Sequence, residues 1–563
     1  MKHSDTPHRL KTRSHICFSP QVLSVILSVW TLAMLAAPAV ILSVTEQLSW
    51  AARIANALFP VGVFGLWLAC SRRVAATVLS TIPFMVLGAF QIVLLFLYGR
   101  SIIAVDMFLN VVTTNPTEVG ELLGNLLSAI LTVCLMYLPP IVCAVVGCVR
   151  HWCAGRRALS VVRRASLSAL LVALVAIAVS LPGSRPVRPL IDIYPLNVLY
   201  NIVLAVDRTE RLENYESTSS SFSAHAVDLS PSDSARRVVV IVVGETARGD
   251  RWQINGYGRP TSPSLAAGGF VSFPEAYSES NTTHKSVPML LSHLTADTFG
   301  DSIYSVKSIV TAFREAGFRT AFFSNQRYNR SFIDRFAFEA DTTLFIKEQP
   351  GASGESFDME LLPLLKEELA RGADRQLIVL HTYGSHFSYI DRYPEDFARF
   401  GPYEYTDASL AAKDRLDNAY DNTILYTAAM LDSVASCLRL SGAEAAMVYA
   451  SDHGEDIFDD DRHLFLHASP VPSRWQIDVP MIVWISDPMA ARHPDYPDAA
   501  GVNRPMPVST SRSVYHTALQ LAGIGSPLFD PKLSVVSGEY KKPARRYLDD
   551  HNRAVDLDAI LAR

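Results

Sequence analysis

The stretches VVVIVVGET (238–246) and AMVYASDHGE (446–455) decide the fold of this 563-residue chain. Each is a largely apolar run, too apolar for a strand with one wet face, that stops on an acid. TAFFS (320–324) and RQLIVLHT (375–382) repeat the run, and helical patterns such as MELLPLLKEELARG (359–372) and NTILYTAAMLDSVASCLRL (422–440) fall between. This alternation predicts an α/β domain whose mainly parallel sheet is covered by helices on both faces, with ligands collecting beyond the strand carboxyl ends. Glu245, His381 with His386, and Asp452 with His453 stand at those ends.

Upstream the composition changes. Apolar runs at 21–43, 54–70, 75–98, 125–149 and 165–182 are each near the roughly 20 residues that cross a bilayer core, so a bundle of five transmembrane helices is expected. Arg9, Lys11, Arg13, Arg72, Arg73 and the arginines of 150–164 fall on one face if the spans alternate, which puts the N-terminus in the cytoplasm and everything after about 184 outside it. The first run is too long for a cleaved signal peptide. The expected organisation is a transmembrane domain over 1–183, a helix and linker over 184–235, and a soluble domain over 236–563. Within the middle segment, 195–215 reads as a helix lying on the bilayer or an ordinary packed one, and the Ser-rich 217–235 reads as a linker.

Formal charge is −5, which argues against a nucleic-acid partner. Of seven cysteines only Cys437 lies in the exported portion, which therefore forms no internal disulfide and offers no cysteine-based zinc site. Any metal there is held by oxygen and imidazole.

Glu245 closes a run too apolar to tolerate an uncompensated carboxylate, although a strand-end Glu also suits an exposed loop. With Asp452 and His453 it makes an O,O,N set suited to Zn²⁺ or Mn²⁺. Asn281-Thr282-Thr283 precede HKSVPMLLS, in which Pro288 suits the first turns of a helix. The threonines then serve either as a helix cap or as a hydroxyl set where a helix N-terminus attracts phosphate. His386 and His467 suit a phosphate oxygen or a departing group, while His381 and His463 are weaker candidates. Asn110, Thr114 and Glu118 are four residues apart in an extracytoplasmic loop, a spacing that by itself describes a solvated polar face.

In order, GETAR, GYGRPTSP, NTTHKSVPMLLS, HTYGSH, SDHGED and FLHASP resemble the membrane-bound phosphoethanolamine transferases of the alkaline phosphatase and sulfatase superfamily. The resemblance covers nearly the whole chain. It implies an alkaline phosphatase/sulfatase-like domain in the periplasm, tied to the bacterial inner membrane. It implies a zinc ion on Glu245, Thr283, Asp452 and His453, with Thr283 as the nucleophile because it lies five residues before Pro288. His386 and His467 match positions that contact the phosphoryl group or a second zinc, and Asn110, Thr114 and Glu118 match a loop that binds the donor lipid. The implied donor is phosphatidylethanolamine; the acceptor is lipopolysaccharide core, lipid A or a periplasmic glucan.

Two departures from lipid A-modifying relatives are visible. Glu279 and Met289 replace their flanking cysteines, which is similar to a disulfide-free branch, and Arg327 or Arg330 stands in the region of a family lysine. A sulfatase would need a C/S-x-P-x-R signature, which NTTHKSVPM lacks. A membrane-anchored phosphoglycerol transferase and an inactive membrane sensor or scaffold are the alternatives.

Overall fold

The structure, a computed structural model, describes residues 19–45, 48–98, 105–106, 108, 127–182, 186–231, 234–349, 356–403 and 409–562. The chain divides into two units, one of Met1–Val93 with Ser128–Asn197 and one of Leu94–Leu127 with Val198–Arg563. Asn110, Thr114 and Glu118 lie outside the described residues.

In the first unit, α1 (Pro20–Thr45), α2 (Trp50–Leu68), α4 (Leu127–Val149) and α5 (Arg156–Ser180) are long and apolar enough to cross a membrane. The five spans expected are matched by four described helices of that length and one shorter apolar helix. Among the described residues four helices reach that length, because the run 75–98 breaks into Val74–Leu79 and a 17-residue helix, α3 (Ile82–Tyr98). Hydropathy is continuous across the break, but Ser80 and Thr81 turn their hydroxyls back onto the carbonyls of Thr77 and Val78, and Pro83 has no N–H to extend the helix. Small residues bring α2 and α5 together: a Cβ on Gly65 would stand 2.1 Å from Ser166 Oγ. Leu135, Val142, Leu171 and Val175 point outward, as lipid-facing residues do.

The second unit is built on a seven-stranded sheet. Its strands are β1 (Arg237–Gly244), β2 (Phe270–Ser272), β3 (Arg319–Ser324), β4 (Thr342–Phe345), β5 (Arg375–His381), β6 (Glu444–Ser451) and β7 (Met481–Ile485), in the order β2-β7-β6-β1-β5-β3-β4. From β6 to β4 the pairing is parallel, whereas β7 runs antiparallel to both β6 and β2. The sheet is therefore mixed, with four of its six pairings parallel and β7 the one strand that runs against the others. The five residues of β7 carry no direction in their own sequence.

Central β1 is buried on both faces, so alternate residues enter different cores. Val239, Ile241 and Val243 pack with residues of α7 (Thr283–Leu290) and α9 (Thr510–Ala522), while Val238, Val240 and Val242 pack with α8 (Lys413–Leu440). Two-sided burial explains the unbroken valine run and holds the end of β1 rigidly. In sequence order between the apolar helices and this sheet, α6 (Leu196–Glu213) carries an apolar start and a charged end, and Val227–Asp228, inside the segment read as a linker, pairs with Ile524–Gly525.

Candidate metal and nucleophile site

Register builds the site. Gly244 of β1 is paired with Ser451 of β6, so the next residues, Glu245 and Asp452, leave adjacent strands side by side. Asp452 Oδ1 accepts the N–H groups of Thr246 at 3.0 Å and His453 at 2.7 Å, which fixes the carboxylate between the two strand ends. Its Oδ2 is buried without a hydrogen-bond partner in the protein. Glu245 Oε1 accepts the Thr246 hydroxyl at 2.7 Å, and Gln326 Nε2 donates to Oε2 at 3.3 Å. The loop after β5 folds over Glu245, where Ser385 donates its N–H to the Glu245 carbonyl at 2.9 Å. Gly384 permits this approach: its φ is +53°, and a Cβ there would lie 2.5 Å from that carbonyl oxygen.

His453 donates Nδ1–H to the Gly454 carbonyl at 2.9 Å, which leaves a lone pair on Nε2. That nitrogen lies 3.0 Å from Thr283 Oγ1 and 3.2 Å from Asp452 Oδ2. Thr283 Oγ1 is also 3.3 Å from Glu245 Oε1, so the first residue of α7 completes a four-membered donor set. The segment that carries His467 is anchored nearby by a bond from the Ala468 N–H to the Asn281 carbonyl at 3.2 Å. Its ring sits 4.1 Å from that of His453 and 6.0 Å from that of His386.

Electrostatics show what the set lacks. Burial raises the Glu245 carboxyl, opposed by His467 and by hydrogen bonds from Thr246, Gln326 and Thr283. Burial and then the Glu245 charge push Asp452 well above the usual carboxylate range. Burial, followed by His467, holds His453 well below its ordinary value, so the imidazole is neutral and does not compensate the acids. Two crowded carboxylates, a neutral imidazole lone pair, a hydroxyl and an orphaned buried oxygen together fit a divalent cation of the zinc type.

His386 is neutral too. Burial, then Arg392 and His467, lower it to about 3, and Nδ1 donates to the Phe387 carbonyl at 2.7 Å, so Nε2 presents a lone pair. His381 is buried one layer beneath, beside Ser324 Oγ at 3.1 Å, and His463 is exposed. Arg327 donates to the Lys347 carbonyl at 3.2 Å.

Sequence reasoning missed two parts of the surroundings. Glu455, fully buried, places Oε2 3.5 Å from His467 Nδ1 and accepts the Tyr389 hydroxyl, so it supports that histidine from behind. Its signal was present, since Glu455 follows the DHG turn. The other is a charged node under α7. Lys285 Nζ donates to Asp106 Oδ2 at 2.6 Å and to the Asp549 carbonyl at 2.8 Å, His284 Nε2 lies 3.2 Å from Asp106 Oδ1, and Arg208 approaches the same oxygen at 3.4 Å. Burial alone would raise the Asp106 carboxyl, but Lys285, His284 and Arg208 hold it below the ordinary carboxylate range.

Removing one charge from such a pair strands the other. Asp106→Asn should therefore destabilise the second unit by about 3–5 kcal/mol, and adding Lys285→Met should recover most of that loss. Thermal unfolding of the unaltered protein, both single variants and the double variant checks this; losses that simply add in the double variant would show that the pair is uncoupled.

The sulfatase family profile matches residues 237–524. Phosphoethanolamine transferase EptA of Escherichia coli is 29% identical over 291 residues, which are 50% of this chain and 53% of that protein. Kdo(2)-lipid A phosphoethanolamine 7''-transferase of Salmonella typhimurium is 31% identical over 268 residues, 46% of each. The chain thus spans about half the length of the curated relatives it matches. Among solved structures, the zinc complex of the C-terminal periplasmic domain of EcEptC from Escherichia coli aligns with TM-score 0.53 and 25% identity, over 59% of this chain and 95% of that one. The integral membrane EptA of Neisseria meningitidis shares the fold over 93% of this chain and 99% of its own, with TM-score 0.69 and 22% identity. These relatives bear out the resemblance to membrane-bound phosphoethanolamine transferases, and the described cysteines are all unpaired.

Proposed function

The chain belongs to the sulfatase family, and from that premise we propose that it transfers phosphoethanolamine from phosphatidylethanolamine to a cell-envelope acceptor through a covalent intermediate on Thr283. The observation that carries the proposal is the placement of Thr283 Oγ1, 3.0 Å from a neutral His453 Nε2 and 3.3 Å from Glu245 at the N-terminus of α7. Glu245, Thr283, Asp452 and His453 would hold zinc, which when bound lowers the pKa of a hydroxyl and offsets charge on phosphoryl oxygens.

This chain's own residues then account for the rest. Thr283 Oγ1, its proton released to solvent, forms a bond to phosphorus in line with the glycerol oxygen, whose bond to phosphorus breaks as diacylglycerol departs. His467, backed by Glu455 at 3.5 Å, donates the proton that oxygen needs. The acceptor hydroxyl then displaces Thr283 from phosphorus, losing its proton to the same histidine or to the free Nε2 of His386. The N–H groups at the start of α7 favour the anionic phosphoryl group throughout. Asn110, Thr114 and Glu118 are assigned to donor binding by the resemblance.

The helices of the first unit put donor and site on one membrane, which raises their effective concentration. The proposed setting is the bacterial inner membrane, with the N-terminus cytoplasmic and the catalytic domain periplasmic. Zinc-dependent transfer to lipid A, lipopolysaccharide core or a glucan all remain within this reading. Its test is incubation of the full chain with headgroup-labelled phosphatidylethanolamine or phosphatidylglycerol, followed by peptide mass analysis. A phosphoethanolamine adduct on Thr283 is expected; a phosphoglycerol adduct alone would instead identify a phosphoglycerol transferase.

A further inference from the structure

Beside α7 the catalytic unit contains a cavity of about 640 Å³, within the size range of ligand pockets. We propose that it receives one acyl chain of the lipid donor, an inference that rests on the phosphoethanolamine-transfer reading. Leu212, Phe299, Ile303, Phe332 and Phe338 supply apolar walls, and His284 with Lys285, the two residues after Thr283, form one side.

Glu213 and Arg330 line the cavity as well, and four further charged residues there have their heads engaged elsewhere. Lys285 is committed to Asp106 and the Asp549 carbonyl, and Arg208 to Asp106 and the Asp550 carbonyl. Arg335 lies 3.7 Å from Glu216, and the Asp334 carboxylate accepts the N–H groups of Asn329 and Arg330. What faces the cavity from these residues is largely stem, which covers apolar surface well and recognises anions or sugars poorly.

A route for an acyl chain follows α6. Leu199, Val203 and Val206, spaced by four and three residues, are 43%, 64% and 61% exposed, an apolar stripe suited to a bilayer surface. The next turns of the same helix, through Arg208, Thr209 and Leu212, form a wall of the cavity. The occupant is assigned to the donor because the bond that breaks joins phosphorus to diacylglycerol. A phosphorus atom at Thr283 therefore carries its acyl chains as the departing part, next to His284 and Lys285.

Full-length protein in lipid nanodiscs would be given phosphatidylethanolamine with a diazirine at the end of one acyl chain, then irradiated and mapped by mass spectrometry. Cross-links in the peptides carrying Ile303, Phe332 or Phe338 are expected. Cross-links confined to the helices of the first unit, or cross-links here only from an acylated acceptor bearing the same probe, would overturn the assignment. Leu212→Trp, which narrows the cavity, should lower the ratio of kcat/KM for dipalmitoyl over dihexanoyl donor about tenfold; an unchanged ratio would count against the proposal. Thr283 adducts formed from the dihexanoyl donor keep the transfer reading separate from this one, since they need no chain in the cavity.

Discussion

Thr283→Ala should lower phosphoethanolamine transfer by at least about 10⁴-fold while the unfolding temperature stays near that of the unaltered protein. Catalysis falls steeply because the hydroxyl is the atom that would be bonded to phosphorus, and nothing else at the N-terminus of α7 reaches both His453 Nε2 and Glu245 as it does. Stability changes little because the substitution removes a half-buried hydroxyl whose net contribution is about 1 kcal/mol, and leaves the packing of α7 through Val287 and Leu290 untouched. Release of labelled headgroup and the mass of the 283-containing peptide are the measurements. Turnover close to normal would remove Thr283 from the nucleophile's role, and an adduct on Thr282 would transfer that role to its neighbour.

The second large effect concerns the two acids. In metal-free protein Asp452→Asn should be stabilising, because it ends the confrontation of two buried carboxylates whose pKa values are both raised. The pH dependence has a definite sign. An acid raised in the folded state keeps its proton there after the unfolded chain, near the ordinary value of about 3.8, has lost its own. The metal-free protein therefore loses stability as pH climbs from about 4 towards the folded-state value, and the Asn variant loses less. Zinc should invert the ranking. At 100 times its Kd, a ligand that binds only the folded state adds about 2.7 kcal/mol, and the variant should forgo most of it. Thermal shift with and without zinc, across pH 5 to about 8, reads both effects; an equal zinc-induced rise in both proteins would refute metal binding by Asp452.

Much of this site was legible because it obeys local rules. Glu245 and Asp452 are found by asking where an all-apolar strand ends, and register then makes them neighbours without further information. Thr283, by contrast, was singled out by the family resemblance, which puts the nucleophile five residues before Pro288. What escaped depends on distant partners. MIVWI (481–485) is an apolar run as good as TAFFS, yet no property of its five residues says that it runs against β6. The apolar stretch 75–98 looks continuous to hydropathy, which does not see Ser80 and Thr81 bending back on their own carbonyls. His284 and Lys285 look like a wet helix start; that Lys285 is buried follows from Asp106, 179 residues earlier.

That node has a consequence for the order in which the protein is completed. Lys285 reaches the Asp549 carbonyl across 264 residues and Arg208 reaches that of Asp550 across 342, so the underside of α7 is closed by segments that emerge from synthesis far apart in time. Sheet strands β1, β3 and β5 pair over much shorter separations and can form first. The charged underside of the helix carrying Thr283 is then closed when the hairpin of Arg546–Leu548 and Ala554–Asp556 arrives, so a growing chain would carry a formed sheet before that contact was complete.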